Sequence, residues 1–278
     1  MRRSVSVVAA AMLLFAPASW AQTASGPAAS TLADPPAPEA SDVELAQQLA
    51  NPISSLISVP FQFNYDRGFA GGDGERYTLN VQPVIPFSIS EDWNVISRTI
   101  VPIISQDGVI PGEGSQFGLG ATVQSLFFSP KAPTDAGLTW GVGPVFLLPT
   151  ATDGISTNQW GAGVTGIGLV QRGGWTIGGL ANHIWSLSGD DDISSTFLQP
   201  FVNYTTSRAT SFFLNTESTY DWENDQWSVP INFGANQLID IGNRRVQLGG
   251  GLRYWADSSD FGPQDWGARI NVVFLFPK

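Results

Sequence analysis

The chain has 278 residues and is poor in charge: 42% are apolar and only 13% charged, against about 25% charged in soluble domains. The absence of cysteine excludes a disulfide framework, and one histidine without cysteine excludes the common zinc constellations. A formal net charge of −11 argues against nucleic acid as a partner, because that role needs a basic footprint.

Residues 1–21 read as a signal peptide. Arg2 and Arg3 supply the positive start, "VSVVAAAMLLFA" the apolar centre, and Ser19 and Ala21 the small residues before cleavage at Gln22. No twin-arginine pattern follows the Arg pair, so export through the periplasm in an unfolded state is expected. Removing this segment takes away both Arg and no acid, which leaves 11 − 24 = −13. Residues 22–41, "QTASGPAASTLADPPAPEAS", form an Ala/Pro-rich stretch expected to be a disordered linker. Residues 42–57 read as a short amphipathic helix and lead-in. Asp42 is the expected N-cap, Pro52 follows the end, and Val43, Leu45, Ala46 and Leu49 share a face. The helix is either a surface element or a plug at the end of the following fold; at this length the surface reading is preferred.

From residue 58 to the C-terminus the dominant pattern is alternation. Val59, Phe61, Phe63 and Tyr65 alternate with Pro60, Gln62, Asn64 and Asp66. Tyr77 to Phe87 repeats the pattern against Thr78, Asn80, Gln82 and Val84. Trp93, Val95, Val101 and Ile103 stand opposite Asn94 and Arg98. Phe117, Leu119, Ala121, Val123 and Phe127 are set against Gly118, Gly120, Thr122 and Gln124, and Leu138 to Phe146 against Thr139, Gly141 and Gly143. Runs from Trp160, Trp175, Thr196, Thr210, Trp227 and Val246 continue the scheme. In the last run Ala268, Ile270, Val272, Phe274 and Phe276 make one wholly apolar face, opposite Arg269 and Asn271. A strand points successive side chains to opposite faces. The count is about twelve strands of roughly ten residues, the length that crosses an apolar layer when tilted. No apolar run of about 20 residues follows the N-terminal segment, so a transmembrane helix is not expected.

The connections fall into short turns (90–92, 172–174, 206–208, 241–245, with a longer 129–135) and longer or more acidic loops (67–75, 105–115, 149–158, 188–194, 223–226, 256–265). Their alternation fits an all-β, transmembrane, antiparallel up-and-down β-barrel over residues 58–278, with its short turns facing the periplasm. Aromatics near strand ends, among them Tyr65, Trp93, Trp140, Trp175, Trp185, Tyr220, Trp222, Trp227, Tyr254 and Trp266, match interfacial girdles. A soluble sandwich would carry more charge on its second face. Pro83, Pro86, Pro102, Pro144, Pro200 and Pro230 fall inside strands and predict bulges or bends. Arg98, Glu217, Arg253 and Arg269 fall on inward faces at mid-strand depth, where a charge needs a polar lumen or a partner. They form a candidate lumen charge network. It either holds the interior together, the preferred role because a twelve-strand lumen is readily filled by side chains, or guides a solute.

The phrases "NVQPVIPFSISEDWNVISRTIVPII", "GLTWGVGPVFLLPTATD", "ANHIWSLSGDDD", "TFLQPFVNYTT", "NTESTYDWENDQWSVPIN" and the closing "FLFPK" resemble the meta-pathway of phenol degradation family of bacterial outer-membrane barrels, over about Leu45 to Lys278. The resemblance implies a location in the Gram-negative outer membrane and a part in passage of aromatic or other hydrophobic compounds. It implies no catalytic residues. Barrels of this kind often end on an aromatic residue that assists assembly; here Phe276 is followed by Pro277 and Lys278.

An enzymatic role is weighed against this. Some twelve-strand barrels are phospholipases with a Ser–His–Asn arrangement on the lipid-facing side, and this chain has Asn182, His183 and Ser186 close together. Neighbours on a strand point apart, so neither Asn182 nor Ser186 faces His183; a serine on an adjacent strand would be required. No enzyme activity and no cofactor are expected. Asp190, Asp191 and Asp192 offer oxygens to calcium or magnesium, but a solvated acidic loop is the preferred reading, and no metal site is expected. Acidic loops would also bridge lipopolysaccharide through divalent ions. Expected partners are outer-membrane lipid and lipopolysaccharide, the barrel-assembly machinery and small hydrophobic solutes. The function expected is passive passage or binding of such solutes, aromatic ones included. The alternative is a structural or surface-interaction barrel with a filled lumen.

Overall fold

The structure is a computed structural model that describes residues 41–69, 72–110, 112–189, 192–242 and 244–276. The signal at 1–21, the linker up to residue 40, Asp190, Asp191 and the final Pro277-Lys278 lie outside the described residues. One helix, α1 (Asp42–Leu49), precedes the sheet. The strands are β1 (Ile57–Phe69), β2 (Gly74–Val81), β3 (Val84–Ser88), β4 (Trp93–Asp107) and β5 (Gln116–Leu119). Next come β6 (Thr122–Pro130), β7 (Leu138–Leu148), β8 (Gly161–Arg172), β9 (Trp175–Ser186) and β10 (Ser194–Thr205). The chain closes with β11 (Thr210–Thr216), β12 (Ser218–Asp221), β13 (Gln226–Ile241), β14 (Arg244–Asp257) and β15 (Asp265–Phe276).

Three pairs, β2 with β3, β5 with β6 and β11 with β12, are halves of interrupted strands, so the described residues form a closed antiparallel barrel of twelve staves. Closure runs from Ile57 opposite Phe276 to Tyr65 opposite Ala268. Closure leaves no edge, and every stave pairs with both neighbours. That condition lets a sheet sit in hydrocarbon, where an unpaired backbone group costs several kcal/mol. No helix among the described residues is long and apolar enough to cross a membrane.

The outward face is a belt of exposed apolar side chains, Phe63, Val164, Ile177, Leu214, Leu252 and Ile270 among them. A water-soluble monomer does not expose a continuous belt of this kind. Aromatic pairs flank it. Trp93 with Trp140, and Trp175 with Tyr204, lie at the short-turn end. Tyr65 with Tyr77, Tyr220 with Trp222 and Trp227, and Tyr254 with Trp266 lie at the opposite end. The outward face also carries a polar cluster whose groups satisfy one another: Thr99 Oγ1 donates to Gln124 Oε1 at 2.6 Å, and Gln124 Nε2 donates to Ser97 Oγ at 3.0 Å.

Proline and glycine set the interruptions. Pro83 separates β2 from β3, and β13 shifts register between Val229 and Pro230. Pro86, Pro102, Pro144 and Pro200 sit within strands. Gly120 and Ala121 separate β5 from β6 and reverse the alternation. Phe117 and Leu119 are exposed outside, whereas Phe127 is fully buried within the barrel. The single continuous face expected from Phe117 to Phe127 is therefore two faces joined at a bulge, where one extra residue turns every later side chain over. The loop expected at 67–75 is cut short at both ends, because β1 runs to Phe69 and β2 starts at Gly74.

The N-cap of α1 is Ser41, not Asp42. Glu44 N–H donates to Ser41 Oγ at 3.3 Å, and Ser41 N–H donates to Glu44 Oε2 at 2.8 Å, a reciprocal capping box. Nor does the helix lie on the outer surface. Ala46 is fully buried against Ala209, Leu238 and Leu275 inside the short-turn mouth. Gln47 Nε2 donates to Gly173 O at 2.7 Å, Gln171 Nε2 donates to Gln47 O at 2.8 Å, and Asp42 pairs with Arg245. The helix is thus the plug of the two alternatives.

Candidate functional site

Three zones fill the lumen, the first and third of them in contact through Phe197. The first is apolar. After α1 the chain carries Ile53 into a cluster with Val84, Ile96, Phe127, Ile167, Leu169, Leu180 and Phe201, inward side chains of six staves. Gly141 makes room for it: a Cβ there would lie 3.4 Å from Ile53 Cδ1 and 3.3 Å from Phe127 Cβ. Burying Ile53 contributes about 1.5–3 kcal/mol. Phe127, expected on one face with Phe117 and Leu119, thus lies inside together with Val84, which was expected on the opposite face. One wall of the lower lumen is a dry core, because these staves are apolar on both faces.

The second layer is charged. Arg269 on β15 donates from Nη1 to Glu217 Oε1 at 2.9 Å and from Nη2 to Oε2 at 2.7 Å, a two-pronged pair. Its Nε donates to Asn64 Oδ1 at 2.8 Å. Arg253 on β14 stands 3.9 Å from Glu217 and 3.1 Å from Asp66. Trp255 Nε1 donates to the same Asp66 oxygen at 2.8 Å, and the Arg253 guanidinium stacks 4.7 Å from the Trp255 ring centre. Gly267 leaves space for this carboxylate, since a Cβ there would lie 3.1 Å from Asp66 Oδ1. The structure thus brings together Glu217, Arg253 and Arg269. Arg98 stands apart from the direct pairs, with Nη2 donating to Gln82 Oε1 at 3.1 Å. Asp66 and Asn64 were missed as members. Their shared parity with Gln62 on the first stave was the available signal, but only the register, Asn64 opposite Arg269, makes them neighbours.

The third layer is a cavity of about 900 Å³ at the long-loop end. Arg98 and Ser125 line it, with Ile100, Val123, Leu147, Ile184 and Phe197 as apolar walls and Asp192, Asp221 and Glu223 toward the mouth. Asn182 faces this cavity, whereas His183, next in sequence, faces outward.

His183 sits at the edge of the long-loop girdle, 4.1 Å from Trp185 between ring centres. Its Nδ1 lies 2.7 Å from Thr196 Oγ1, which also accepts from Trp222 Nε1 at 2.8 Å, and its Nε2 lies 3.5 Å from Ser194 Oγ. A serine on an adjacent strand is therefore present, at the outer limit of hydrogen-bond reach. Among the described residues no group of three or more His, Cys, Asp or Glu side chains could hold a metal ion.

No protein-family model and no curated protein matches the chain. Solved structures do. An outer membrane channel from Pseudomonas putida F1 superposes with a TM-score of 0.62 at 13% identity, over 80% of this chain and 96% of that one. Outer membrane phospholipase A from Escherichia coli gives 0.47 at 10% identity, over 78% and 96%, and the β domain of the Bordetella autotransporter BrkA 0.46 at 12%, over 80% and 99%. The similarity to the Pseudomonas channel shows the fold: a membrane-spanning barrel of the outer-membrane type.

Proposed function

We propose that the chain resides in a Gram-negative outer membrane and passively admits small solutes with an apolar body, aromatic ones included, to the chamber at its long-loop end. The observation that carries this reading is the chamber itself. Its volume of about 900 Å³ suits a small molecule, and its walls combine apolar side chains with a few convergent polar groups. The resemblance to the phenol-degradation family supports the same solute class. On this reading the barrel is not an enzyme, and the segment 41–56 closes the exit toward the periplasm.

The occupied floor favours a second reading, a structural barrel with a filled lumen, because α1 packs inside the short-turn mouth and Ile53 packs into the apolar cluster. Planar-bilayer recordings separate the two. Discrete openings by the intact chain, interrupted by a millimolar aromatic solute, support passage. An intact chain that stays silent while a variant lacking residues 42–56 gives steady openings refutes passage and leaves the filled barrel.

A further inference from the structure

We infer that the chamber selects small monocarboxylates with an apolar body, the carboxylate resting on Arg98; this rests on the chamber reading above. Arg98 projects inward from β4, in register with Val84 on one side and Ser125 on the other. It lines the chamber, and among the described residues no carboxylate lies within ion-pair distance of it. Its one side-chain hydrogen bond goes to Gln82. Glu217 is engaged on both oxygens by Arg269, and Asp66 is held by Arg253 and Trp255. Of the inward arginines, Arg253 and Arg269 hold Asp66 and Glu217, Arg76 donates to Gln106, and Arg98 is the one that faces the cavity. Beneath it Val84, Ile96 and Phe127 form the dry core, so no counter-charge approaches from below.

A guanidinium offers parallel N–H groups that match a carboxylate, and an Arg in a partly dehydrated wall is stabilised by acquiring one. The Ser125 hydroxyl, opposite Arg98 on β6 and on the same cavity wall, adds a donor. The rest of the ligand meets Ile100, Val123, Ile184 and Phe197, which favours an apolar body over a sugar or an inorganic anion. The acids at the mouth point the same way. Asp192 and Glu223 are exposed, so salt screens them over about 8 Å at physiological strength, and the half-buried Asp221 accepts from the Glu223 and Asn224 N–H groups and from Asn224 Nδ2. What repulsion remains acts twice as strongly on a dianion as on a monoanion.

The test uses the purified full chain in detergent, with binding of benzoate and its neutral isostere benzamide followed by equilibrium dialysis. Benzoate is expected to bind at least tenfold more tightly than benzamide. Arg98→Gln should bring benzoate down to the benzamide level, and Arg98→Lys should retain a reduced preference for the acid. Val123→Trp, which fills the chamber without touching the charge, should remove binding of both probes and serves as the independent check should the Arg98 variants not fold. Equal binding of the two probes to the intact chain, or benzoate binding that survives Arg98→Gln at full strength, overturns the inference and leaves the chamber standing. Binding of neither probe overturns the inference and the chamber reading together.

Discussion

Replacing Glu217 with Gln tests whether the charged layer is an integral part of the fold. The carboxylate accepts from Arg269 at 2.9 and 2.7 Å and stands 3.9 Å from Arg253. Breaking one partner out of a buried pair costs about 3–5 kcal/mol, because the other charge is left uncompensated. Two features lower the figure here. The Glu217 side chain is 18% exposed, and Gln keeps one acceptor while Asn64 still accepts from Arg269 Nε. The expected loss is therefore about 3 kcal/mol, at the low end of that range. Urea unfolding of the barrel from lipid vesicles, followed by tryptophan fluorescence, measures it. The double variant Glu217→Leu with Arg269→Met removes both charges, and Arg253 keeps Asp66, so it should return to within about 1 kcal/mol of the parent. A single-variant loss below about 1 kcal/mol, or losses that add in the double variant, would refute a coupled network.

Ile270 is 59% exposed, near the middle of the outward face of β15. Ile270→Arg should cost about 2–4 kcal/mol in the same unfolding assay, as a cation at the bilayer midplane does, and a negligible effect would deny that this face meets lipid. For His183→Ala the expectation is phospholipid hydrolysis at background before and after the change. Hydrolysis present in the parent and lost in the variant would instead make His183 and Ser194 a catalytic pair.

The barrel was legible because a period of two is hard to imitate. In the closing stave the apolar set Ala268 to Phe276 and the mixed set Gly267 to Leu275 separate cleanly, and the structure points them outward and inward as the alternation requires. Alternation says which residues share a face, not which face is the lumen, and that failed where both faces are apolar. Val84, Ile96 and Phe127 lie inside for this reason, and the turnover at Gly120 and Ala121 has no mark beyond a glycine. The charges Glu217, Arg253 and Arg269 were visible as a minority in apolar strands, whereas their partners depend on stagger between staves distant in sequence. Asp66 joins Arg253 across 187 positions only because the first and last staves close the barrel (253 − 66 = 187). The cap at Ser41 was readable: Ser41 and Glu44 have the spacing of a capping box, whereas three residues after Asp42 stands Leu45, which cannot complete one.

The layers also differ in how firmly they are held, and that difference decides where a route could open. The plug rests on two side-chain hydrogen bonds at its rim, between Gln47 and the turn at Gly173 and between Gln171 and Gln47. Each contributes about 0.5–1.5 kcal/mol. Its ion pair joins Asp42, 59% exposed, to Arg245, 34% exposed, and an exposed pair contributes at most about 1 kcal/mol. Ile53 adds about 1.5–3 kcal/mol. Ala46, Leu45, Leu49 and Leu56 add apolar packing with Ala209, Leu238 and Leu275, and displacing segment 41–56 forfeits all of these contacts while leaving the staves paired. Opening the charged layer would separate Arg269 from Glu217 and Arg253 from Asp66 at once, four groups on four different staves whose desolvated charges would then face one another without partners. The plug can therefore leave without stranding buried charges, and a solute seated on Arg98 stands beside the dry core, in register with Val84. Its way toward the periplasm would run along the apolar wall of Val84, Ile96 and Phe127, once Ile53 has left it.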